Sequence, residues 1–177
     1  MTKGLCLSLL VLFTFLVADA QKRRWSVPTY QGLTLEKSTK ADAERIFGKP
    51  VWSGHPEDER DNPVKSLISY KYENVGGFEG RTVIWTKART GVITDILLYH
   101  SEQKPIPIEK VGEKYGTDYI ELESGLGPCP TPKEIRKYKP PIRREYPIFF
   151  VYPRKGMIVS VAANNKVQEI SYLSKCL

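Results

Sequence analysis

The chain contains little histidine and cysteine, and it lacks the motifs of the common enzyme classes. There are two histidines and three cysteines among its 177 residues. His55 and His100 belong to no His-x-x-His or His-Glu-x-x-His pattern, the arrangements that bind metal. No Gly-x-Ser-x-Gly elbow, phosphate loop or dinucleotide fingerprint is present. The sequence therefore predicts a non-enzymatic protein with no catalytic residues, no metal site and no cofactor.

Long apolar runs are also missing, except at the beginning of the chain. Leu5–Val17 is uncharged and apolar, follows Lys3, and is followed by Ala18-Asp19-Ala20. This order is typical of a cleavable signal peptide. An uncleaved anchor is the alternative, but a helix needs about 20 apolar residues to span a membrane. We expect residues 1–20 to be removed after Ala20 and the mature protein to be secreted or periplasmic, without a membrane span.

Acidic residues are outnumbered by basic ones. Lys and Arg total 27 against 20 for Asp and Glu, for a formal net charge of +7. Outside the cytoplasm, a basic protein meets anionic lipid headgroups, polysaccharides and acidic proteins. The expected partner is therefore an unknown protein or an anionic component of the cell envelope, and nucleic acid is not expected.

Removal of the signal peptide leaves two cysteines, Cys129 and Cys176. An even number of cysteines in an exported protein favours a disulfide over free thiols. Cys129 lies in a proline-rich loop and Cys176 is the penultimate residue. The bridge would tie this loop to the C-terminus and stabilise the protein by roughly 4 kcal/mol.

The first half of the mature chain contains a helix followed by strands. Ser38 or Thr39 can cap the helix, Asp42 lies in its first turn, and Gly48 ends it. After an acidic loop the pattern changes to alternation, which predicts strands. These strands cover 68–72, 82–87 and 92–99.

The second half repeats this order. A short helix over 107–115 is followed by an irregular stretch and by strands over 148–152, 157–163 and 167–173. The predicted fold is α+β, with two tandem units that each pack a short helix or helical pair on a three-stranded antiparallel sheet. The predicted boundaries are an extended lead-in at 21–37, a first unit at 38–104, and a second unit at 105–177 with a basic, proline-rich insertion at 125–147. A single α+β domain whose halves look alike by chance is the alternative.

Three short motifs carry a resemblance to a known family. They are Ser38-Thr39-x-x-Asp42 at the start of the first helix, Phe47-Gly48-Lys49-Pro50 at its end, and Gly91-Val92-Ile93-Thr94-Asp95-Ile96 in a strand. Their spacing resembles the small exported BamE-like (SmpA/OmlA) domains over 33–99 and, less closely, over 106–173. Two such units in tandem resemble the β-lactamase inhibitor protein family. The resemblance implies helices packed on antiparallel sheets and a sheet that lies over a protein partner.

One candidate binding segment is the basic stretch over 133–144. Arginines and a tyrosine on a loop stiffened by proline can hold carboxylates or phosphates at a modest entropic cost. A solvated insertion loop is the alternative. The candidate residues here are Lys133, Arg136, Lys137, Tyr138, Lys139, Arg143 and Arg144.

A second candidate surface is a sheet face that carries aromatic residues. The strands contain seven such side chains, and they alternate faces too often for all to point at the helices. Trp85 and Tyr99 are the clearest candidates for an exposed face, which would be a binding surface. The alternative is that the strand aromatics are core residues: Tyr70, Tyr72, Trp85, Tyr99, Phe150, Tyr152 and Tyr172.

Other polar clusters point to ordinary loops. The acidic stretch over 57–62 offers oxygen ligands for calcium, but it lacks EF-hand spacing and Arg60 interrupts it. We therefore predict an exported binding module that recognises a protein through its sheet face and basic loop. The alternatives are an envelope-associated structural protein held by charge to anionic lipid or polysaccharide, and a hydrolase without a recognisable motif.

Overall fold

The computed structural model describes residues 25–58, 60–101, 104–123, 129, 137 and 146–176. Among these residues, strands outnumber helices by far. The strands are β1 (Thr29–Tyr30), β2 (Leu33–Thr34), β3 (Trp52–Gly54), β4 (Leu67–Glu73), β5 (Gly80–Lys87), β6 (Ile93–His100), β7 (Ile120–Leu122), β8 (Ile148–Tyr152), β9 (Met157–Val161) and β10 (Val167–Leu173).

Two short α-helices accompany the strands. Helix α1 (Lys40–Phe47) begins at the predicted cap, where the Thr39 side chain accepts from the Asp42 N–H and the Asp42 carboxylate accepts from the Thr39 N–H. It ends at Gly48, which has a φ of 80°. Helix α2 (Val111–Tyr115) continues a 3-10 turn over Ile108–Lys110. No helix among the described residues is long and apolar enough to cross a membrane.

The prediction of two separate three-stranded units is wrong. Eight strands form one antiparallel sheet in the order β3-β4-β5-β6-β10-β9-β8-β7. The last strands of the two halves meet at its centre, where Leu98 of β6 pairs with Ile170 of β10. Local patterns of alternation and of β-branched, aromatic or apolar residues revealed these strands but not their long-range pairing. Strands β3 and β7, which extend the sheet at its two edges, were not predicted because each is only three residues long.

One face of this sheet packs against the helices and contains the larger core. Side chains at alternating positions point to this face because successive strand residues face opposite sides. Ile84, Ile96 and Val159 are fully buried there, together with Ala43 of α1 and Val111 of α2. The segment before α1 adds Leu33 and Leu35, both at 0% exposure.

The opposite face, called the outer face below, differs between its two halves. Over β7 to β9 it carries a second apolar cluster of Leu122, Phe149, Val151 and Ile158, packed with Trp25 and Cys176. All five residues of β8 are consequently buried. Over β3 to β6 the outer face instead carries the candidate site.

Candidate functional site

The strand register brings an aromatic and cationic group together on the outer face. In the central row Trp52 pairs with Lys71, Lys71 with Val83, and Val83 with Leu97. In the rows on either side, Ser69 pairs with Trp85, and Arg81 pairs with Tyr99. Since these residues occupy alternating positions of their strands, their side chains share one face.

These side chains line a groove of about 360 Å³, called the outer groove below. Trp85 and Tyr99, the two aromatic residues predicted for an exposed sheet face, both contribute to it and are half-buried. The loop after β3 closes one side. The lining consists of Trp52, His55, Pro56, Glu57, Ser69, Lys71, Arg81, Val83, Trp85, Leu97 and Tyr99.

Trp52 is held in place by its neighbours although its side chain is 43% exposed. The Lys71 ammonium lies 4.2 Å from the centre of its ring, a cation–π contact. The indole also lies over Gly54, where an added Cβ would come within 2.6 Å of the ring. Glycine at this position therefore lets the indole fold down over the strand.

Tyr99 stands between a cation and a carboxylate. The Arg81 guanidinium lies 5.8 Å from its ring centre, and the phenol is hydrogen-bonded to Glu169 on β10. Burial raises the pKa of Tyr99, and the adjacent Glu169 carboxylate raises it further. The phenol thus stays protonated at neutral pH. Arg81 is in turn 3.8 Å from Glu73, so it is only loosely paired.

The surface around Arg81 and Tyr99 continues into two more cavities of about 680 Å³ each. Both include His100, whose ring meets Phe78 edge-on at 4.8 Å. Burial lowers the pKa of His100, and the charge of Lys114 adds to this, so the imidazole is neutral at pH 7. Its Nε2 has no hydrogen-bond partner among the described residues.

No protein-family model matches this chain, and no curated protein matches it. One solved structure is similar, the crystal structure of a DUF4309 family protein (YjgB) from Bacillus subtilis subsp. subtilis str. 168. The two share 14% sequence identity with a TM-score of 0.43, over 83% of this chain and 86% of that chain. We draw no functional conclusion from a similarity at this level.

The predicted disulfide is confirmed. Cys129 and Cys176 are bonded, with their Cα atoms 5.1 Å apart. Cys176 packs in the apolar cluster on the outer face, so the bridge attaches Cys129 to that side of the sheet. Of the seven candidate residues in the basic stretch, Lys137 is exposed. The other six lie outside the described residues: Lys133, Arg136, Tyr138, Lys139, Arg143 and Arg144.

The other strand aromatics belong to the helix-side core. They are Tyr70, Tyr72, Phe150, Tyr152 and Tyr172, which lie within the larger core cluster or pack against it. Sequence reasoning missed Trp52, Lys71 and Arg81 as members of the outer groove. Alternation over 68–72 placed Lys71 opposite the apolar positions, and Arg81 preceded the predicted strand at 82–87, so only the register shows that both lie beside an aromatic ring.

The acidic stretch after β3 forms a turn. One Asp58 carboxylate oxygen accepts from the backbone N–H of Arg60 at 2.9 Å and of Asn62 at 3.0 Å. These bonds lower the pKa of Asp58. Within the described part of the chain, no group of three or more His, Cys, Asp or Glu side chains is placed to hold a metal ion.

Asp95 is a carboxylate on the outer face whose burial disfavours its charge. It lies between Trp85 and Leu173 in the strand register. Burial raises its pKa, the charge of Glu36 adds to this, and a hydrogen bond with Thr94 only partly offsets it. A raised pKa in the folded state means that the ionised carboxylate destabilises the fold.

We therefore expect Asp95→Asn to raise the free energy of unfolding at pH 7. The gain should shrink as pH falls through the raised folded-state pKa, and it should vanish below the ordinary value of 3.8, where wild-type Asp95 is protonated in both states. Urea denaturation of both proteins between pH 3 and pH 8 measures this difference. An equal difference at every pH would contradict the assignment.

Proposed function

We propose that this protein is an exported binding module that takes a protein partner on the outer groove. The observation that supports this proposal most strongly is the convergence of Trp52, Trp85 and Tyr99 with Lys71 and Arg81 on one groove. This groove lies on the sheet face opposite the helices.

The composition of the groove is that of a protein interface. Tryptophan, tyrosine and arginine are the residues most enriched among those that dominate binding energy. Here two of the three rings are already in contact with a cation, at 4.2 Å for Lys71 on Trp52 and 5.8 Å for Arg81 on Tyr99. Side chains held in this way lose less conformational entropy when a partner binds.

The charges of the groove favour a partner segment that carries carboxylates. Among the described residues, Lys71 has no ion-pair partner, and Arg81 has only its loose contact with Glu73. A partner carboxylate would find both cations beside apolar rings, which would contribute the area of contact. This arrangement supports recognition of a protein over attachment by charge alone.

The disulfide fits a protein that works in an oxidising compartment, where such bonds persist. Export through cleavage after Ala20 is part of the proposal, as is a secreted or periplasmic destination. The resemblance to BamE-like domains and to the β-lactamase inhibitor protein family supports only the proposed mode of binding, in which a sheet surface lies over the partner.

The proposal is tested by capturing partners from the envelope and medium of the producing cell with residues 21–177. We expect a protein captured in stoichiometric amount at high salt, and its loss with the double variant Trp85→Ala/Tyr99→Ala. Each aromatic residue at the centre of an interface contributes about 2 kcal/mol or more, so affinity should fall at least about 30-fold per ring.

Two further variants sharpen this test. Gly54→Ala adds a methyl group within 2.6 Å of the Trp52 indole, so it should displace the ring and weaken capture without touching the partner. Ile46→Ser removes a similarly exposed apolar side chain on α1, on the helix side of the sheet, and should leave capture unchanged. Capture that survives the double variant would contradict the assigned groove. Capture that disappears at high salt in the wild type would favour an electrostatic tether.

A further inference from the structure

Another cavity lies away from the outer groove and shares no lining residue with it. It has a volume of about 370 Å³, within the range typical of small-molecule sites. One wall is the N-terminal segment at Val27 and Thr29, and the floor includes Met157 of β9, which is 2% exposed. We call it the N-terminal cavity.

The wall of this cavity is positioned by close backbone contacts. Ser26 donates to the Pro153 carbonyl at 2.8 Å. Gly156 has a φ of +58°, and a Cβ there would lie 2.2 Å from the Ser26 carbonyl oxygen. Glycine is therefore required for the segment to cross this turn, and the crossing creates the cavity.

The mouth of the cavity carries two cations and no acidic side chain among the described residues. Arg154 and Lys155 stand on the turn between β8 and β9. Lys155 Nζ donates to the Tyr115 carbonyl at 2.6 Å, which fixes the ammonium at the rim. An ammonium has three donors, and only this one is taken by an acceptor among the described residues. Arg154 is 3.8 Å from Asp118, a distance that leaves most of its donors free.

Two tyrosines complete the lining of the cavity. Tyr115 and Tyr172 both line it. The Tyr115 hydroxyl is buried without a hydrogen-bond partner in the described structure. Because it is shielded from solvent, a ligand at the rim does not reach it, and leaving it unpaired costs the fold about 1–3 kcal/mol.

We propose that the N-terminal cavity binds a small carboxylate with an aliphatic body. The carboxylate lies at the rim, where it accepts from Lys155 and Arg154. The aliphatic body lies over Met157 and the side chain of Val27. This site is independent of the outer groove and of the proposed partner.

Octanoate and octanamide form a matched pair of probes for this site, because they differ in charge but hardly in shape. The protein over residues 21–177 contains a single methionine, Met157, so a carbon-13-labelled methionine methyl group reports from the cavity floor. We expect octanoate to shift the Met157 methyl resonance in a saturable titration. Octanamide should bind about 10-fold or more weakly, because a hydrogen bond to a charged group contributes about 1.5–3 kcal/mol.

Variants distinguish specific binding in this cavity from nonspecific binding of octanoate. Arg154→Gln/Lys155→Gln should weaken octanoate binding at least about 10-fold, whereas Arg89→Gln, at an exposed cation in the β5–β6 turn, should leave it unchanged. Tyr115→Phe should leave octanoate binding unchanged and be at least as stable as the wild type, because it removes an unpaired hydroxyl that is buried away from the rim. Equal binding of octanoate and octanamide, an unaffected double variant, or no saturable shift of Met157 would each overturn the proposal. None of these outcomes bears on the outer groove.

Discussion

Replacing Cys129 and Cys176 together by alanine is expected to lower the free energy of unfolding by about 4 kcal/mol. The bridge closes a loop between residues 47 apart, and the chain-entropy model gives roughly this value for a loop of that length. Small domains are stable by only about 5–15 kcal/mol. The variant should therefore be close to unfolding at 37 °C. Urea denaturation under non-reducing conditions measures the loss.

Reduction of the wild type distinguishes the stability that comes from the disulfide bond from the stability that comes from the packing of its sulfur atoms. Cys176 is 7% exposed and packs with Phe149, Val151 and Ile158, so alanine also removes apolar contact there. We expect reduction to lower the free energy of unfolding of the wild type by most, but not all, of the amount by which the double alanine variant lowers it. Equal stability of the oxidised and reduced wild type would show that the loop is held by other contacts.

Ile96→Ala is expected to lower the free energy of unfolding by about 2–5 kcal/mol, the usual range for truncating a fully buried isoleucine. Ile96 lies on β6, where it pairs with Ile84 of β5 on one side and with Tyr172 of β10 on the other. The cavity left by the missing atoms would therefore border both halves of the sheet. Both halves should be destabilised together.

Tryptophan fluorescence can distinguish the two halves during urea denaturation. Trp52 and Trp85 lie on the strands of the first half, and Trp25 packs on the outer face of the second. Variants that keep only one of these reporters should show the same transition midpoint, shifted equally by Ile96→Ala. Ile46→Ala, at a side chain that is 42% exposed, should change stability by no more than about 0.5 kcal/mol. Two transitions, only one of which responds to Ile96→Ala, would contradict a single cooperative sheet.

Much of the local structure could be predicted because its causes are local. The Thr39 cap and the Gly48 end of α1 depend on residues within one helical turn. Six strands followed from alternation or from runs of β-branched, aromatic and apolar residues over five or more positions. Pairing of Cys129 with Cys176 followed from their number in a chain expected to be exported.

The architecture and the site depended on contacts that local patterns do not contain. Pairing of β6 with β10 joins residues at least 70 positions apart, and it replaces two predicted sheets with one. The same holds for the outer groove. Trp85 and Tyr99 were singled out as candidates for an exposed sheet face, and both line the outer groove. Because β3 is too short to show alternation, nothing local placed Trp52 beside them.

The amino-acid pattern alone determined where the helices and most strands lie and which cysteines pair, because capping, alternation and cysteine number are properties of neighbouring or few residues. Tertiary structure decided which strands are neighbours, and with that which polar side chains stand next to which rings. A lysine on the polar side of a strand becomes a cation over an indole only when the register places Lys71 opposite Trp52. Strand register is set by the packing of the whole buried face, since a slip of one residue would turn every core side chain outward.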